Sequence, residues 1–376
     1  MKILFTGGGT GGHIFPIIAI ARELRNVYAG ENLRLFFIGP KGEVPLSLLT
    51  EEGIKVKMVL AGKIRRYVGV KSYFLNFFDI LFKIPVGAIQ ALFYVFFLSP
   101  HLILSKGGYG SVPALTAGWL LGTPIFLHES DAAPGLSNRY FSKYASEIFV
   151  SFPLQKTEYY PPPRIISVGN PIRKGILEGS KQEAMELFKL SGEKPLILIL
   201  GGSQGAQRIN DIILQMLPHI LTEFELIHQC GERNFKETSA ESKVVINKDL
   251  EKYYHPSPFL NEEEMGNAYR AADLVISRAG SGTIFEISAV EKPSILIPLP
   301  EAAQDHQVKN AYAYADRGAC MVVEETNLAP HFLLERIQYL FNNPEDLEKM
   351  QIAAREFSRP KAAEVIAEYL IGYLTQ

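Results

Sequence analysis

Short runs of branched and aromatic residues alternate along the chain with longer stretches in which apolar residues recur at helical spacing. Such continuously apolar runs are typical of strands buried in a parallel sheet that helices cover on both faces. The runs are KILFT, LRLFFIG, HLILS, PIFLHE, EIFVS, RIISVG, LILILGG, FELIHQC, DLVISR, SILIPL and ACMVVE. This pattern predicts an α/β protein built on parallel sheets.

The order of elements restarts in the second half of the chain. Lys2–His13 is predicted as a strand, the glycine loop GGGTGGH and the start of a helix, and Leu196–Gln207 repeats that order as LILILGGSQGAQ. A chain of 376 residues is also too long for one comfortable hydrophobic core. We therefore predict two Rossmann-like domains that face each other across a cleft.

Polar, proline-rich stretches mark the expected domain boundary. YYPPPR at 159–164 and GNPIRKG at 169–175 carry the turn residues of a hinge, and the second sheet begins soon after them. The predicted domains cover residues 1–168 and 169–354. The helical stretch at about 355–376 is expected to pack back on the first domain.

Composition and charge narrow the class of protein. Hydrophobic residues make up 47% and charged residues 21%, which is typical of a globular chain, and the net charge of −2 gives no basic field for nucleic acid. Cys230 and Cys320 show no metal-ligand spacing and are interpreted as buried thiols in a reducing compartment. The first residues do not follow a signal-peptide pattern, so a cytoplasmic location is expected.

Three glycine-rich loops follow predicted strands and open helices. The loop at 7–13 fits G-x-G-x-x-G, but the second strand ends in Gly-Pro-Lys at 39–41 and supplies no acid for a ribose, which argues against NAD. The loop at 201–205 has no Lys-Ser/Thr after it and is not a Walker A motif, and the third loop is RAGSGT at 278–283. Three helix starts that favour anions predict a bound nucleotide diphosphate.

Several titratable residues lie at these predicted loops. His13 directly follows the first glycine run, and imidazole titrates near neutral pH, so it is a candidate general base. His128, Glu129 and Asp131 end another strand and are alternative bases. Glu286 lies one turn beyond Gly282, where a carboxylate can accept both ribose hydroxyls or simply stabilise the helix dipole. No element has i, i+4 ligand spacing, so we expect no metal.

The segment 64–98 is unusually aromatic. Its longest uncharged part, 84–100, is shorter than the roughly 18 residues that a membrane-spanning helix needs. A mixture of aromatic residues with flanking Lys and Arg is typical of a helix lying in a lipid interface, and ordinary core packing is the alternative. The residues expected to contact the membrane are Phe74, Phe77, Phe78, Leu81, Phe82 and Lys83.

Several of these motifs together resemble a known family. TGGGTGGHIFP, KGGYGSVP, HESDAAPGLSNR, GNPIR, GGSQGAQRIN, ISRAGSGTIFEI and DHQVKNA occur in the order and spacing of the MurG family of N-acetylglucosaminyltransferases, from Lys2 to about Gly318. The resemblance implies a two-domain glycosyltransferase of the GT-B type. It also implies inverting transfer of GlcNAc from UDP-GlcNAc to the muramic acid 4-hydroxyl of lipid I, giving lipid II for peptidoglycan, at the cytoplasmic face of the membrane and without a cofactor.

The resemblance also implies roles for individual residues. Arg173 and Ser203 would lie near the diphosphate, Glu286 would bind the ribose hydroxyls, Gln307 the sugar and Leu260 the uracil. The remaining implied substrate contacts are Thr10, Gly11, Gly12, Asp131, Ser281, Gly282, Thr283, Ile284 and Phe285. Family members usually have Gln-Asn after His-Glu, where this chain has Ser130 and Asp131, so an acid stands in place of an amide that contacts sugar.

Other functions share parts of this pattern. A UDP-GlcNAc 2-epimerase would share the donor and the two-domain fold, but it needs no lipid acceptor. A related glycosyltransferase could use a different lipid, because donor loops do not define the acceptor. A nucleotide-sugar sensor would keep the loops without needing His13, and an NAD oxidoreductase would need the missing ribose acid.

Overall fold

The chain folds into two compact units. The computed structural model describes residues 1–30, 32–42, 46–63, 76–77, 79–153, 160, 164–202, 205–300 and 305–375. The first unit comprises Met1–Ile172 and Pro360–Gln376, and the second comprises Arg173–Arg359. The first unit therefore continues a few residues beyond position 168, where the sequence places the boundary.

The first unit is built on a seven-stranded parallel sheet of order β3-β2-β1-β4-β5-β6-β7. Its strands are β1 (Lys2–Thr6), β2 (Arg34–Gly39), β3 (Lys55–Met58), β4 (Leu102–Ser105), β5 (Ile125–Glu129), β6 (Glu147–Val150) and β7 (Ile165–Ser167). The helices before the second unit are α1 (Gly11–Val27), α2 (Ser47–Glu51), α3 (Ile84–Leu98), α4 (Val112–Leu120) and α5 (Leu136–Phe141).

The second unit is built on a six-stranded parallel sheet of order β10-β9-β8-β11-β12-β13. Its strands are β8 (Leu196–Leu200), β9 (Glu225–Gln229), β10 (Tyr254–Ser257), β11 (Leu274–Ser277), β12 (Ser294–Leu296) and β13 (Met321–Val322). The helices are α6 (Lys181–Phe188), α7 (Gln207–Ile220), α8 (Phe235–Val245), α9 (Glu262–Ala271), α10 (Ser281–Ala289), α11 (His306–Ala315), α12 (Pro330–Asn342) and α13 (Pro344–Phe357), and α14 (Ala362–Thr375) returns to the first unit. The predicted α/β class with two parallel sheets is confirmed.

Helix α14 completes the core of the first unit. It buries Ile366 and Leu370 in the same apolar cluster as Ile17 and Leu24 of α1. The ring of Phe126 on β5 also meets the ring of Tyr373 at a centroid distance of 4.9 Å. Burying each such side chain contributes about 1.5–3 kcal/mol, so the first unit depends on the last residues of the chain.

A long helix lies on the surface of the first unit. A wider helical turn, Asp79–Lys83, continues into α3, and together they form a 20-residue helix that is long and apolar enough to cross a membrane by length and composition. The expectation that this segment is too short to span is therefore wrong on length, because the helix begins five residues before the uncharged run. Only 17% of its most apolar window is buried. The part in contact with the unit includes Gly87, Ala91 and Val95.

The parallel strands bring the predicted loops to common edges. In the first unit, the loops that follow β1, β4, β5 and β7 all leave from the carboxyl edge of one sheet. In the second unit, the loops that follow β8 and β11 leave from the carboxyl edge of the other sheet. Ligands of open α/β sheets bind at this edge, so both candidate sites are expected there.

Candidate functional site

His13 lies between two glycines of different loops in the first unit. A Cβ at Gly8 would lie 2.9 Å from Nδ1 of the imidazole, and a Cβ at Gly108 would lie 3.1 Å from Nε2. Either carbon would press on the ring. A Cβ at Gly9 would lie 2.1 Å from Cα of Gly42, whereas Gly12 faces open space. Gly8 and Gly108 therefore leave space for the imidazole ring, and Gly9 leaves space for the backbone of Gly42.

Thr10 precedes helix α1 and contacts His13. Its Oγ1 lies 2.8 Å from Nδ1 of the imidazole, and its side chain makes no capping hydrogen bond within the part of the chain that the structure describes. The first amides of a helix have no intrahelical partner, so the start of α1 keeps its affinity for an anion. The predicted contacts Thr10, Gly11 and Gly12 therefore lie at one helix start with His13.

A buried lysine connects three loops at the same edge. Lys106 directly follows β4, and its Nζ lies 2.5 Å from Nδ1 of His128, 2.7 Å from Oγ of Ser130 and 3.1 Å from Oδ1 of Asn170. The Nε2 of His128 donates to the carbonyl of Gly169 at 3.0 Å, so Nδ1 accepts a hydrogen bond from the lysine. All three hydrogens of the ammonium group have acceptors.

Burial controls the charges in this cluster. It lowers the pKa of Lys106 from 10.5 to about 7, while the negative charges of Glu129 and Asp131 act in the opposite direction. Burial and then the charge of Lys106 lower the pKa of His128 well below 6.5. His128 is therefore neutral at pH 7, and its two ring nitrogens already have partners within the protein.

Glu129 holds the loop that follows β5. Its Oε2 accepts hydrogen bonds from the amide of Gly135 at 3.0 Å, from Nδ2 of Asn138 at 2.9 Å and from the hydroxyl of Tyr160 at 3.1 Å. Its Oε1 accepts from the amide of Asp131 at 3.2 Å. Burial and then the nearby Asp131 raise the pKa of the carboxyl. The arrangement fixes the position of Asp131, which is partly exposed.

In the second unit, helix α10 begins without a side-chain cap. Its N-cap is Gly280, which faces open space, so the amides at the start of Ser281–Ala289 are accessible to an anion. Ser281, Gly282 and Thr283 form its first turn. The side chains of Ile284 and Phe285 are buried, so a ligand contact predicted for them would use the backbone.

Glu286 is held by two residues of other segments. The hydroxyl of Tyr269 donates to its Oε2 at 3.2 Å, and Nη2 of Arg173 lies 3.7 Å from its Oε1. Burial raises the pKa of Glu286, whereas Arg173 lowers it. Arg173 and Glu286 are thus brought together as two opposite charges.

The other predicted contacts of the second unit lie in separate places. The Oε1 of Gln307 accepts from the amide of Leu299 at 3.0 Å. The side chain of Leu260 is buried, so only its backbone can reach a ligand. Leu260 precedes Asn261, which forms a capping box with Glu264 at the start of α9. Ser203 lies outside the described residues.

The predicted membrane residues fall on and before the long surface helix. Phe74 and Phe78 lie outside the described residues. Phe77, Leu81 and Phe82 are exposed, and Nζ of Lys83 lies 2.6 Å from a carboxylate oxygen of the buried Asp79. The structure adds exposed apolar residues in the second half of the helix, namely Ile89, Phe93, Phe96 and Phe97.

Residue patterns alone did not reveal Lys106, Asn170 or Tyr269. A signal for Lys106 existed, because it is a charged residue placed directly between the apolar strand HLILS and two glycines. Asn170 and Tyr269 have no comparable local signal, since their partners come from distant segments of the chain.

Two family models match the two halves of the chain. Residues 3–150 match the glycosyltransferase family 28 N-terminal domain, and residues 196–366 match the glycosyltransferase family 28 C-terminal domain. The matched ranges include most residues of both candidate sites. The residues that fall between the two ranges are Tyr160, Gly169, Asn170 and Arg173.

Curated relatives extend over most of the chain. A UDP-N-acetylglucosamine--N-acetylmuramyl-(pentapeptide) pyrophosphoryl-undecaprenol N-acetylglucosamine transferase of Clostridium botulinum is 35% identical over 343 residues, which is 91% of each chain. A protein of Bacillus cereus with the same name, numbered 2, is 33% identical over 98% of this chain and 99% of its own.

Solved structures agree with these relatives. The crystal structure of Acinetobacter baumannii MurG matches with a TM-score of 0.73 and 25% identity, and the match covers 98% of both chains. A UDP-GlcNAc 2-epimerase of Neisseria meningitidis matches with a TM-score of 0.66 at 15% identity over 99% of this chain and 100% of its own, which shows a shared fold alone. On its sequence relatives and its two domains, the chain belongs to the MurG family of N-acetylglucosamine transferases, within glycosyltransferase family 28.

Proposed function

We propose that this chain transfers N-acetylglucosamine from UDP-GlcNAc to the muramic acid 4-hydroxyl of lipid I, giving lipid II with inversion at the anomeric carbon. The observation that carries this proposal is the 35% identity over 91% of the chain to a transferase whose name states both the transferred sugar and the pyrophosphoryl-undecaprenol acceptor. In this proposal the candidate site of the second unit binds the donor, and the candidate site of the first unit supplies the general base.

The second unit supplies most of the donor contacts in this proposal. Glu286 accepts hydrogen bonds from the ribose hydroxyls, because a partly buried carboxylate fixed by Tyr269 is a strong and well-oriented acceptor. The diphosphate lies at the open start of α10, and Arg173 balances its charge. Ser203 adds a diphosphate contact, Gln307 binds the sugar and the backbone of Leu260 binds the uracil.

His13 takes the proton of the acceptor in this proposal. The 4-hydroxyl oxygen forms a bond to the anomeric carbon of GlcNAc while the bond from that carbon to the UDP oxygen breaks, and UDP leaves with the electron pair. The proton moves to Nε2 of His13, which requires that Nδ1 carry hydrogen and donate to Oγ1 of Thr10. Glu129 and Asp131 are the other candidates, and Glu129 already accepts four hydrogen bonds.

Incubation of sugar-labelled UDP-GlcNAc with a soluble lipid I analogue tests the function. We expect a labelled disaccharide product and free UDP in equal amounts, with inverted configuration at the new bond. H13A is expected to lower kcat by about a hundredfold or more, in the range of general-base catalysis. Formation of a 2-epimer or of free GlcNAc, with no disaccharide, would refute the proposal in favour of an epimerase or a hydrolase.

We also propose that the first unit binds the cytoplasmic face of the membrane through the helix Asp79–Leu98. The exposed side chains of this helix are apolar along its length, as in helices that lie in a lipid interface. The helix lies between β3 and β4, which belong to one sheet, and Gly87 is so close to the carbonyl oxygen of Leu60 that a Cβ would lie 1.8 Å from it. Both ends are thus tied to one unit, which favours an interfacial position over a span.

Basic residues near the end of the helix also support binding to the cytoplasmic face of the membrane. A pocket of about 570 Å³ is lined by Phe97 and Leu98 of the helix together with four cationic side chains. These are Lys2, Arg34, Lys55 and Lys57. Lysine and arginine beside an apolar surface attract the anionic headgroups of a cytoplasmic leaflet, with about 1 kcal/mol for each residue close to the lipid.

A further inference from the structure

A buried carboxylate ties the start of the long surface helix to the segment 60–63, which follows β3. The helix begins with the wider turn Asp79–Lys83, and Asp79 is only 1% exposed. Its Oδ2 accepts a hydrogen bond from the amide of Lys63 at 3.2 Å, and Nζ of Lys83 lies 2.6 Å from its Oδ1. The carboxylate of Asp79 therefore joins two parts of the chain that are 16 residues apart.

The segment 60–63 lies directly against the helix. The Oε1 of Gln90 accepts a hydrogen bond from the amide of Leu60 at 2.9 Å. A Cβ at Gly62 would lie only 2.8 Å from the carbonyl oxygen of Asp79, so no side-chain carbon fits between the two backbones there. Side chains of the helix thus satisfy amides at both ends of the segment, and the segment and the helix form one packed piece.

The outer side of the same helical turn is apolar. Ile80, Leu81 and Phe82 are each about half exposed, as side chains that enter a lipid interface are. The residues expected to touch lipid and the carboxylate that ties them to the first unit therefore lie on one turn of the helix.

The segment 60–63 also contacts the loop beside His13. The Nζ of Lys63 lies 5.9 Å from the centroid of the Tyr109 ring, within the range of a cation–π contact. Tyr109 directly follows Gly108, and a Cβ at Gly108 would lie 3.1 Å from Nε2 of His13. A continuous series of contacts thus runs from the apolar turn, through the buried carboxylate, to the candidate base.

We propose that Asp79 is a positioning residue: its carboxylate ties the apolar turn to the segment 60–63 and so fixes the height of His13 above the membrane surface. An acceptor whose polyprenyl chain is anchored in the lipid then presents its 4-hydroxyl at the level of the imidazole. This inference rests on the proposed function, because it takes His13 as the base and the helix as the membrane contact. Asp79 should matter for an acceptor held in the membrane and matter little for one free in solution, which can approach at any height.

Transfer by the full-length chain to two acceptors tests this role. One acceptor is lipid I in anionic phospholipid vesicles, and the other is the soluble lipid I analogue. We expect D79A to lower kcat/KM about tenfold with the vesicle-bound acceptor and less than about twofold with the soluble one, since a misplacement of about 1 Å is enough for such a loss. D79N keeps an oxygen for the amide of Lys63 and should lose less. Equal losses with both acceptors, or no loss with either, would overturn the proposal.

A spacer in the acceptor gives a readout that a merely structural role would not change. A flexible ethylene glycol spacer between the polyprenyl chain and the pyrophosphate releases the acceptor from a fixed height above the lipid. We expect this acceptor to bring D79A on vesicles to within about twofold of the wild type. A defect of D79A that persists in full with the spacer overturns the proposal.

Three controls separate positioning from folding and from membrane binding. D346A removes a carboxylate that pairs with Lys349 at 2.9 Å in the second unit, and it should leave both rates unchanged. D79A should float with vesicles as the wild type does, and a loss of flotation would assign Asp79 to membrane binding itself and overturn the proposal. Thermal unfolding reports whether D79A folds; if it does not, D79N replaces it in each comparison, and failure of both to fold overturns the proposal. A wild type that forms no disaccharide with either acceptor would instead refute the proposed function.

Discussion

The Oγ1 of Thr10 lies 2.8 Å from Nδ1 of His13, and this contact decides what the imidazole can do. If Nδ1–H donates to the hydroxyl, Nε2 presents a lone pair and can accept a proton. If the hydroxyl donates to Nδ1, Nε2 carries the hydrogen and cannot act as a base. The contact is compatible with both tautomers, and the proposed base role requires that the Thr10 hydroxyl hold the first of them by accepting from Nδ1–H.

Replacing Thr10 tests this requirement. T10V removes the hydroxyl at nearly constant shape, so we expect kcat to fall by about tenfold, the value of one hydrogen bond, with little change in the KM for UDP-GlcNAc. T10S keeps the hydroxyl and should retain most activity. Steady-state kinetics with the lipid I analogue measure both constants. A higher KM with an unchanged kcat would instead assign Thr10 to donor binding.

Glu286 should discriminate ribose from deoxyribose. E286Q keeps the side-chain shape but loses the charge, so we expect the KM for UDP-GlcNAc to rise about tenfold, in line with hydrogen bonds to a charged group. The wild type should bind the 2′-deoxyribose analogue more weakly than UDP-GlcNAc. E286Q should bind the analogue and UDP-GlcNAc about equally. Y269F, which removes the hydrogen bond to Glu286, serves as the milder comparison. Undiminished discrimination in E286Q would exclude the ribose role.

Lys106 should make the stability of the protein depend on pH. Its pKa is about 7 in the folded chain and close to 10.5 when unfolded, so between these values the unfolded state binds more protons and stability rises with pH. Below pH 7 both states hold the proton and the cost of burying the charge is fully present. We expect the free energy of unfolding of the wild type, relative to K106M, to increase by about 2 kcal/mol from pH 7 to pH 9. Denaturant titrations at each pH measure it, and a constant difference would contradict it.

The second half of the surface helix should contribute to membrane binding. Burial of a phenylalanine side chain contributes about 1.5–3 kcal/mol, so loss of three of them should reduce co-flotation with anionic phospholipid vesicles by at least about tenfold. The test variant carries F93S, F96S and F97S. The control variant changes three exposed apolar residues of the second unit, L187S, V244S and Y339S. Equal flotation of the two folded variants would rule out the proposed membrane face.

The first half of the helix is tested with a separate variant. F77S, F78S and F82S change residues that the sequence assigns to the membrane, and Phe77 and Phe82 are exposed in the structure. We expect a comparable loss of flotation with transfer to a soluble lipid I analogue unchanged. Loss of transfer to the soluble analogue would indicate damage to the unit rather than loss of a membrane contact.

The central strands of both sheets could be predicted from sequence, whereas two of the four edge strands could not. DLVIS appears as β11 because all four residues of Leu274–Ser277 are buried in the centre of a sheet. Strands β3 and β10 escaped notice since each is an edge strand: KVKM of β3 is mostly exposed, and YHPS of β10 contains a proline. An edge strand buries less of its surface and tolerates proline, so it can form without an apolar run, as β3 and β10 do.

The same distinction applies to the candidate sites. His13 and Glu286 could be picked out because each lies within one turn of its own glycine loop. The contacts of Lys106 could not be predicted, because its partners are 22, 24 and 64 residues away and only the fold brings them together. The role of Gly8 and Gly108 as space for an imidazole also depends on contacts between separate loops.

The return of α14 to the first unit means that, along the gene, the second unit is an insertion. Arg173–Arg359 interrupts a fold whose two pieces are Met1–Ile172 and Pro360–Gln376. A fragment cut after Ile172 would expose the apolar surface that Ile366 and Leu370 cover. The second unit, in contrast, interrupts the first at a single point of its sequence, between Ile172 and Pro360. Dissection of this enzyme is therefore best done by excising the insert and joining residue 172 to residue 360 with a linker, not by truncating the chain.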